Sequence, residues 1–368
     1  MQELQTGLLT REGVKKTKVL VVDDSPLMCK VLADILSEDP ALQIVGQALS
    51  GGEAIEILSK TPCDVCTLDV HMPGMSGLSV LKHIMIRSPT PTLMVSAFTS
   101  EGAKVTFEAL RYGAVDFFQK PSRENGADIE AQKAVLQERV KRAARVQLKA
   151  ARYLRLRQAA TLAWAGDRAT ARASGSPHGL IALIASTGGY ASLLSLLPLI
   201  KGISAPVVVF MRAHPSYLKA FVNYIGAYVS FEARLAGDGE PLQNGKAYFI
   251  NSDDAASIDH EGGDMLLHIT PRCGLSERET GVDLFLYSAS EHFGDNMMAV
   301  FLSGDGVGGL NGAKELLRLG GRVLVQDPDT CLAPETPALI AKETGADVCL
   351  VNELAGRIGG WGRGRDDG

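Results

Sequence analysis

Lys18-Val19-Leu20-Val21-Val22-Asp23-Asp24-Ser25 is a short β-branched run that stops at two adjacent carboxylates, and Val65-Cys66-Thr67-Leu68-Asp69 repeats the pattern with one. Apolar runs of this length bounded by polar residues read as buried parallel strands. Acids directly after them fall at the carboxyl edge of a sheet, where open α/β folds place their sites. Three further runs, Ile44-Val45, Thr92-Leu93-Met94-Val95 and Val115-Asp116-Phe117-Phe118, alternate with helical patterns before Ser122. The alternation predicts one doubly wound parallel-sheet domain over 18–124, preceded by an extension at 1–17.

Further along, the composition changes. From Asn125 to Arg157 Ala, Gln, Lys and Arg dominate, with Leu136, Val140 and Leu148 at helical spacing, and Ala165 to Pro177 is rich in Ala, Arg, Gly and Ser. A helical, basic linker with a flexible tether is expected over 125–178. Its Lys133, Arg139, Lys141, Arg142, Arg145, Lys149, Arg152, Arg155 and Arg157 read as a solvated helix face, because no nucleic-acid recognition motif accompanies them. Leu180-Ile181-Ala182-Leu183-Ile184 opens a second alternation that includes Val207-Val208-Val209-Phe210 and Val300-Phe301-Leu302. A second doubly wound α/β domain is expected over 179–355, with a flexible tail at 356–368.

The 368 residues are 46% apolar, enough for two cores, and the net charge of −5 argues against a nucleic-acid or membrane-surface binder. Met1 to Thr17 has no apolar secretory core, and no run is long enough to insert in a bilayer. Six scattered cysteines fit reduced thiols in a cytoplasmic protein. Cys63 and Cys66 lack a second pair for zinc and read as strand cysteines.

Clustered carboxylates repel one another unless a cation sits among them, so Asp23, Asp24 and Asp69 point to Mg2+, which takes a few carboxylates together with water and phosphate oxygens. Ser96 ends the fourth strand and Lys120 the fifth, bringing a hydroxyl and an ammonium to the same edge to bind oxygens of a phosphoryl group on Asp69. Pro121 holds Lys120 extended. An acidic pair, an aspartate, a hydroxyl and a lysine in this order resemble the receiver domain of two-component response regulators, over Lys18 to Ser122. The resemblance implies phosphorylation at Asp69, with Phe117 as the switch aromatic.

Ala185-Ser186-Thr187-Gly188-Gly189 lies between a strand and a helical pattern. There a serine acts either as a helix cap or as an exposed nucleophile beside backbone N–H groups of Thr187, Gly188 and Gly189 that face an anion. Following a receiver, this turn resembles that of the CheB family of chemotaxis protein-glutamate methylesterases. Ala205-Pro206-Val207-Val208-Val209, Gly281-Val282-Asp283-Leu284-Phe285, Leu302-Ser303-Gly304-Asp305-Gly306 and Val325-Gln326-Asp327 resemble further family segments.

The resemblance implies hydrolysis of glutamyl methyl esters on methyl-accepting chemoreceptors, glutamine deamidation, a chemotaxis-type histidine kinase as phosphate source and no cofactor in the second domain. It places the Ser-His-Asp nucleophile at Ser186, but Arg212 at the histidine position and Gly308 at the aspartate position. Asn251-Ser252-Asp253-Asp254 stands where the family has Pro-Gly. Arginine cannot accept a serine proton and glycine cannot orient an imidazole. His214 and Asp305 are the nearest substitutes. Two functions stay open: a phosphorylation-gated methylesterase, and a gated pseudoenzyme that binds receptors or serves as a phosphate sink.

Overall fold

In the computed structural model, residues 16–97, 100–121, 129–146, 177–271, 280–306 and 308–361 are described. The aliphatic runs of the first domain form β1 (Thr17–Val22), β2 (Leu42–Ala48), β3 (Val65–Asp69), β4 (Thr92–Ser96) and β5 (Asp116–Gln119). They make one parallel sheet in the order β2-β1-β3-β4-β5. β3 and β4 are buried along their whole length, as strands covered on both faces must be. The covering helices are α1 (Pro26–Ser37), α2 (Gly51–Lys60), α3 (Gly77–Arg87), α4 (Ser100–Arg111) and α5 (Ile129–Ala144). Ser25, Ser50 and Ser76 accept backbone N–H bonds at the starts of α1, α2 and α3, supplying the caps that short helices need.

α5 corrects the expected linker. Leu136, Val140 and Ala143 are fully buried against Val19, Leu36, Val65 and Val95, so the helix read as a connector is the fifth helix of the first domain. Its apolar stripe covers the sheet, and the domain runs on to Ala144. Three of its basic residues are held in ion pairs: Lys133 with Glu38, Arg139 with Asp116, and Lys141 with Asp39. Leu148, Lys149, Arg152, Arg155, Arg157 and the expected tether lie outside the described residues.

The second domain contains β6 (Leu180–Ala185), α6 (Gly189–Leu196), β7 (Val207–Met211), α7 (Pro215–Ile225), β8 (Glu232–Leu235), β9 (Glu240–Pro241), β10 (Lys246–Asn251), β11 (Ala255–Glu261) and β12 (Asp264–Thr270). There follow α8 (Gly281–Phe293), β13 (Met297–Phe301), α9 (Leu310–Arg318), β14 (Arg322–Gln326), α10 (Glu335–Thr344), β15 (Asp347–Cys349) and α11 (Val351–Gly360). Seven strands form a parallel sheet in the order β15-β14-β13-β6-β7-β10-β8. A small antiparallel sheet, β11-β12-β9, was not anticipated. Its hairpin turns through Gly262 and Gly263, both at positive φ, which is the backbone a two-residue loop between right-twisted strands requires. The expected tail is also shorter than predicted, because α11 buries Leu354, Ala355 and Ile358 and continues to Gly360.

The two domains share one apolar cluster. Phe107 of α4 and Phe117 of β5 are buried in it together with Tyr190, Tyr217 and Phe221 of the second domain. Among the described residues no helix is long and apolar enough to cross a membrane.

Candidate functional site

In the first sheet the strand order reverses between β1 and β3, which opens a crevice at their carboxyl ends. Val22 lies opposite Leu68, so Asp23 and Asp69 emerge side by side. One ligand atom from each of Asp23, Asp24 and Asp69 falls within 4.8 Å of the others. Lys120 Nζ reaches Asp23 Oδ2 at 2.7 Å and Asp69 Oδ2 at 2.9 Å, and Lys120 N donates to Ser96 O at 2.9 Å. Ser96 is buried, and its Oγ donates to Ala97 O at 3.0 Å. Asp23, Asp24, Asp69 and Lys120 therefore meet at one edge, with Ser96 at the end of the adjacent strand β4.

Burial raises the Asp69 carboxyl above its ordinary range, against the opposing pull of the Lys120 ammonium. Burial works to lower Lys120, but its bonds to Asp23 and Asp69 outweigh that and raise it, so it stays charged. Three hard carboxylate donors around a compact gap fit Mg2+ by donor chemistry. Cys66 is buried in β3 and burial pushes the nearby Cys63 thiol up to about 11, so neither is a reactive thiolate.

The second sheet reverses between β6 and β13. Ile184 lies opposite Phe301, which brings the Ser186 turn against the glycine loop that follows β13. Ser186 N donates to Ser303 O at 3.1 Å. Ser186 Oγ donates to Asp305 Oδ1 at 3.2 Å and accepts from Asp305 N at 3.0 Å. Gly189 N donates to Ser186 O at 2.8 Å, and Ser303 Oγ to Thr187 O at 2.8 Å, so the Thr187-Gly188-Gly189 turn is tied to the same loop.

Of the two substitutes, the structure brings only Asp305 into a hydrogen bond with Ser186. His214 is the N-cap of α7, where its Nδ1 accepts from Ser216 N at 3.4 Å and its side chain is exposed. Arg212 donates to Gly306 O at 2.8 Å and lies 3.7 Å from Asp253 Oδ1. Gly308 has φ +72°, and a Cβ there would overlap Thr280 Cγ2 and Oγ1. Thr280 is itself held in a capping box by the buried Asp283, whose carboxylate also accepts from Gly309 N at 3.1 Å and Gly312 N at 2.9 Å. The space beside Gly308 is occupied by packing. A carboxylate paired with serine is a far weaker proton acceptor than an imidazole held by a second carboxylate.

Sequence reasoning missed the groups that join the two sites. Arg142 of α5 lies 3.0 Å from Glu335 Oε2 and 3.5 Å from Asp305 Oδ2, so a residue of the first domain holds the acid bonded to Ser186. Three residues earlier, Arg139 donates to Phe117 O at 2.6 Å. The Phe117 ring packs on Tyr190 and Tyr217, each with centroids 5.1 Å away. At the far end of the interface Arg111 stacks 4.0 Å over Tyr228 and donates to Tyr224 Oη at 3.4 Å. No local motif marks these contacts, because each joins residues far apart in the chain.

Residues 19–128 match the family model of the response regulator receiver domain, and residues 181–358 that of the CheB methylesterase. A protein-glutamate methylesterase/protein-glutamine glutaminase of Pyrococcus abyssi is 33% identical over 337 residues, covering 90% of this chain and 89% of its own. Its counterpart in Pyrococcus horikoshii is 34% identical with the same coverage. The solved catalytic domain of Thermotoga maritima CheB methylesterase aligns at 25% identity and a TM-score of 0.46, over 50% of this chain and 98% of that one. With both domains matched in this order along one chain, the protein belongs to the CheB family, in which a response-regulator receiver is joined to a methylesterase domain.

Proposed function

We propose that this chain is a phosphorylation-controlled chemosensory regulator whose effector domain binds methyl-accepting receptors with little or no ester turnover. The observation that carries the reading is the pairing of the Ser186 hydroxyl with Asp305; the sequence resemblance, which assigns the histidine and aspartate positions to Arg212 and Gly308, and the crowding of Thr280 beside Gly308 support it. Loss of triad members costs on the order of 10⁴ to 10⁶ in turnover. What is left is a shaped surface with a regulated cover.

Asp69 would accept the phosphoryl group from a chemotaxis-type histidine kinase, with Lys120 and Ser96 binding its oxygens. Mg2+ bound by Asp23, Asp24 and Asp69 would neutralise the developing charge. The added charge at Asp69 draws Ser96 toward the phosphoryl group and changes the space available to Phe117, which biases the interface between closed and open. In the closed form Phe117 and Arg142 cover the effector site; in the open form Asp305 loses its Arg142 partner and the Ser186 face meets solvent.

The test is methanol release from methylated receptor by the full chain, treated with Mg2+ and a phosphoryl donor, compared with Ser186→Ala. Equal rates are expected. The hydrogen bond between Ser186 and Asp305 favours one competing reading, a slow esterase in which Asp305 receives the serine proton. A rate that disappears with Ser186→Ala and with Asp305→Asn would select that reading and overturn ours.

A further inference from the structure

Tyr190 occupies the second position of α6, four residues after Ser186, and is 8% exposed. Its ring sits at the centre of the aromatic cluster: Phe117 lies 5.1 Å away, Phe107 5.5 Å and Phe221 4.9 Å. Two of these rings come from the receiver and one from the effector. Such packing favours closure, at about 0.5–1.5 kcal/mol per aromatic pair beyond area burial. The hydroxyl opposes it. Tyr190 Oη is buried, and among the described residues it has no hydrogen-bond partner. Burial pushes the phenol far above its ordinary range, so ionisation offers no relief. When the domains part, water reaches the hydroxyl and its lost solvation is recovered.

We infer that Tyr190 is a built-in counterforce to closure: its ring registers the position of Phe117, while its orphaned hydroxyl holds the closed interface close enough to balance for one phosphoryl group to tip it. An entirely apolar cluster at this position would lock the interface beyond the reach of a modest bias. Because Tyr190 follows the Ser186-Thr187-Gly188-Gly189 turn directly, a displacement of Phe117 reaches the effector site through a single side chain.

The inference rests on the phosphorylation gating proposed above, and the experiment separates the two. Backbone amide exchange is measured across 187–193 and 216–228 in the full chain, first without a phosphoryl donor and then with phosphoramidate and Mg2+. Without donor, Tyr190→Phe is expected to slow exchange in both segments by about tenfold (about 1.4 kcal/mol), the effect of removing a buried unsatisfied hydroxyl while keeping the ring. With donor, the variant is expected to open less than the wild type.

An unchanged or faster exchange in Tyr190→Phe without donor overturns the inference, since the hydroxyl would then be neutral or satisfied. Faster exchange in β6 and β13 as well also overturns it, because the hydroxyl would then be a requirement of the fold. A wild-type protein that takes up phosphate without any change in these segments refutes the gating instead, and the donor-free comparison still decides the role of Tyr190.

Discussion

In the receiver sheet, the crevice between β1 and β3 gathers Asp23, Asp24 and Asp69, and Lys120 from the end of β5 bonds two of them. In the effector sheet, the equivalent crevice between β6 and β13 brings Ser186 against Asp305, with Arg212 bonded to Gly306 of the same loop. The backbone rule that makes a site is satisfied in both. A parallel sheet supplies a place for chemistry through its topology alone, whereas the chemistry requires particular atoms. The effector has the place, and the groups in it are bonded to one another, Ser186 to Asp305 and Arg212 to Gly306.

The comparison would break most completely at Asp69. Asp69→Asn, or removal of divalent cations with a chelator, is expected to abolish phosphate incorporation from phosphoramidate, and a labelled protein that still incorporates phosphate would place the acceptor elsewhere. At the effector crevice the expected result is a failure to gain. Gly308→Asp combined with Arg212→His should leave methanol release within about tenfold of the parent, although an intact triad is worth on the order of 10⁴ or more. The same Gly308→Asp change should lower stability by about 1–3 kcal/mol in urea unfolding, because it forces a Cβ into Thr280 at positive φ. A large recovery of activity would show that the crevice still accepts the old chemistry.

A smaller effect is expected where the two regions touch. Arg142→Met removes the partner of Asp305 and Glu335 while keeping an apolar stem, and should raise amide exchange at 304–306 by about two- to fivefold, the effect of losing ~0.5–1 kcal/mol of ion pairing. Unchanged exchange there would mean that Arg142 does not hold the loop.

The smallest effect concerns Asp116, whose carboxyl is raised chiefly by burial, with Arg139 opposing and Asp305 adding to the rise. A folded-state pKa above the unfolded one contributes stability below the ordinary carboxylate value of about 3.9, and that contribution fades as pH climbs through the raised value. Wild type should therefore lose stability relative to Asp116→Asn across that window and run parallel to it above. A difference between the two that does not vary with pH would remove the argument.

How much of this could be read from the chain follows from where the determinants lie. Asp69 and Ser96 end strands and Asp23 and Lys120 directly follow them, so period and punctuation locate these residues without knowledge of the tertiary structure. Ser186 was legible for the same reason, since it directly follows β6. α5 was legible as a helix, but which surface its Leu136-Val140 stripe would cover depends on the folded sheet, and the reading as a linker failed there.

His214 was named as a substitute for its closeness in sequence to Arg212, yet Pro215 starts α7 and His214 is its cap. The β11–β12 hairpin carried a local signal, Gly262-Gly263, that went unused. Arg142 and Tyr190 had none, since Asp305 and Glu335 for the one and Phe107 and Phe117 for the other lie across the domain interface.

An apolar cluster common to both domains has a consequence for the activated molecule as a solute. Under the proposed gating, separation of receiver and effector would bring Phe107 and Phe117 on one half and Tyr190, Tyr217 and Phe221 on the other into contact with water. Surfaces of that kind seek cover, in another copy of the chain or in whatever protein they meet. Phosphorylated chains should therefore sediment as larger species at high concentration, and the persistence of the signal should depend on how crowded the protein is as well as on how fast the phosphate leaves.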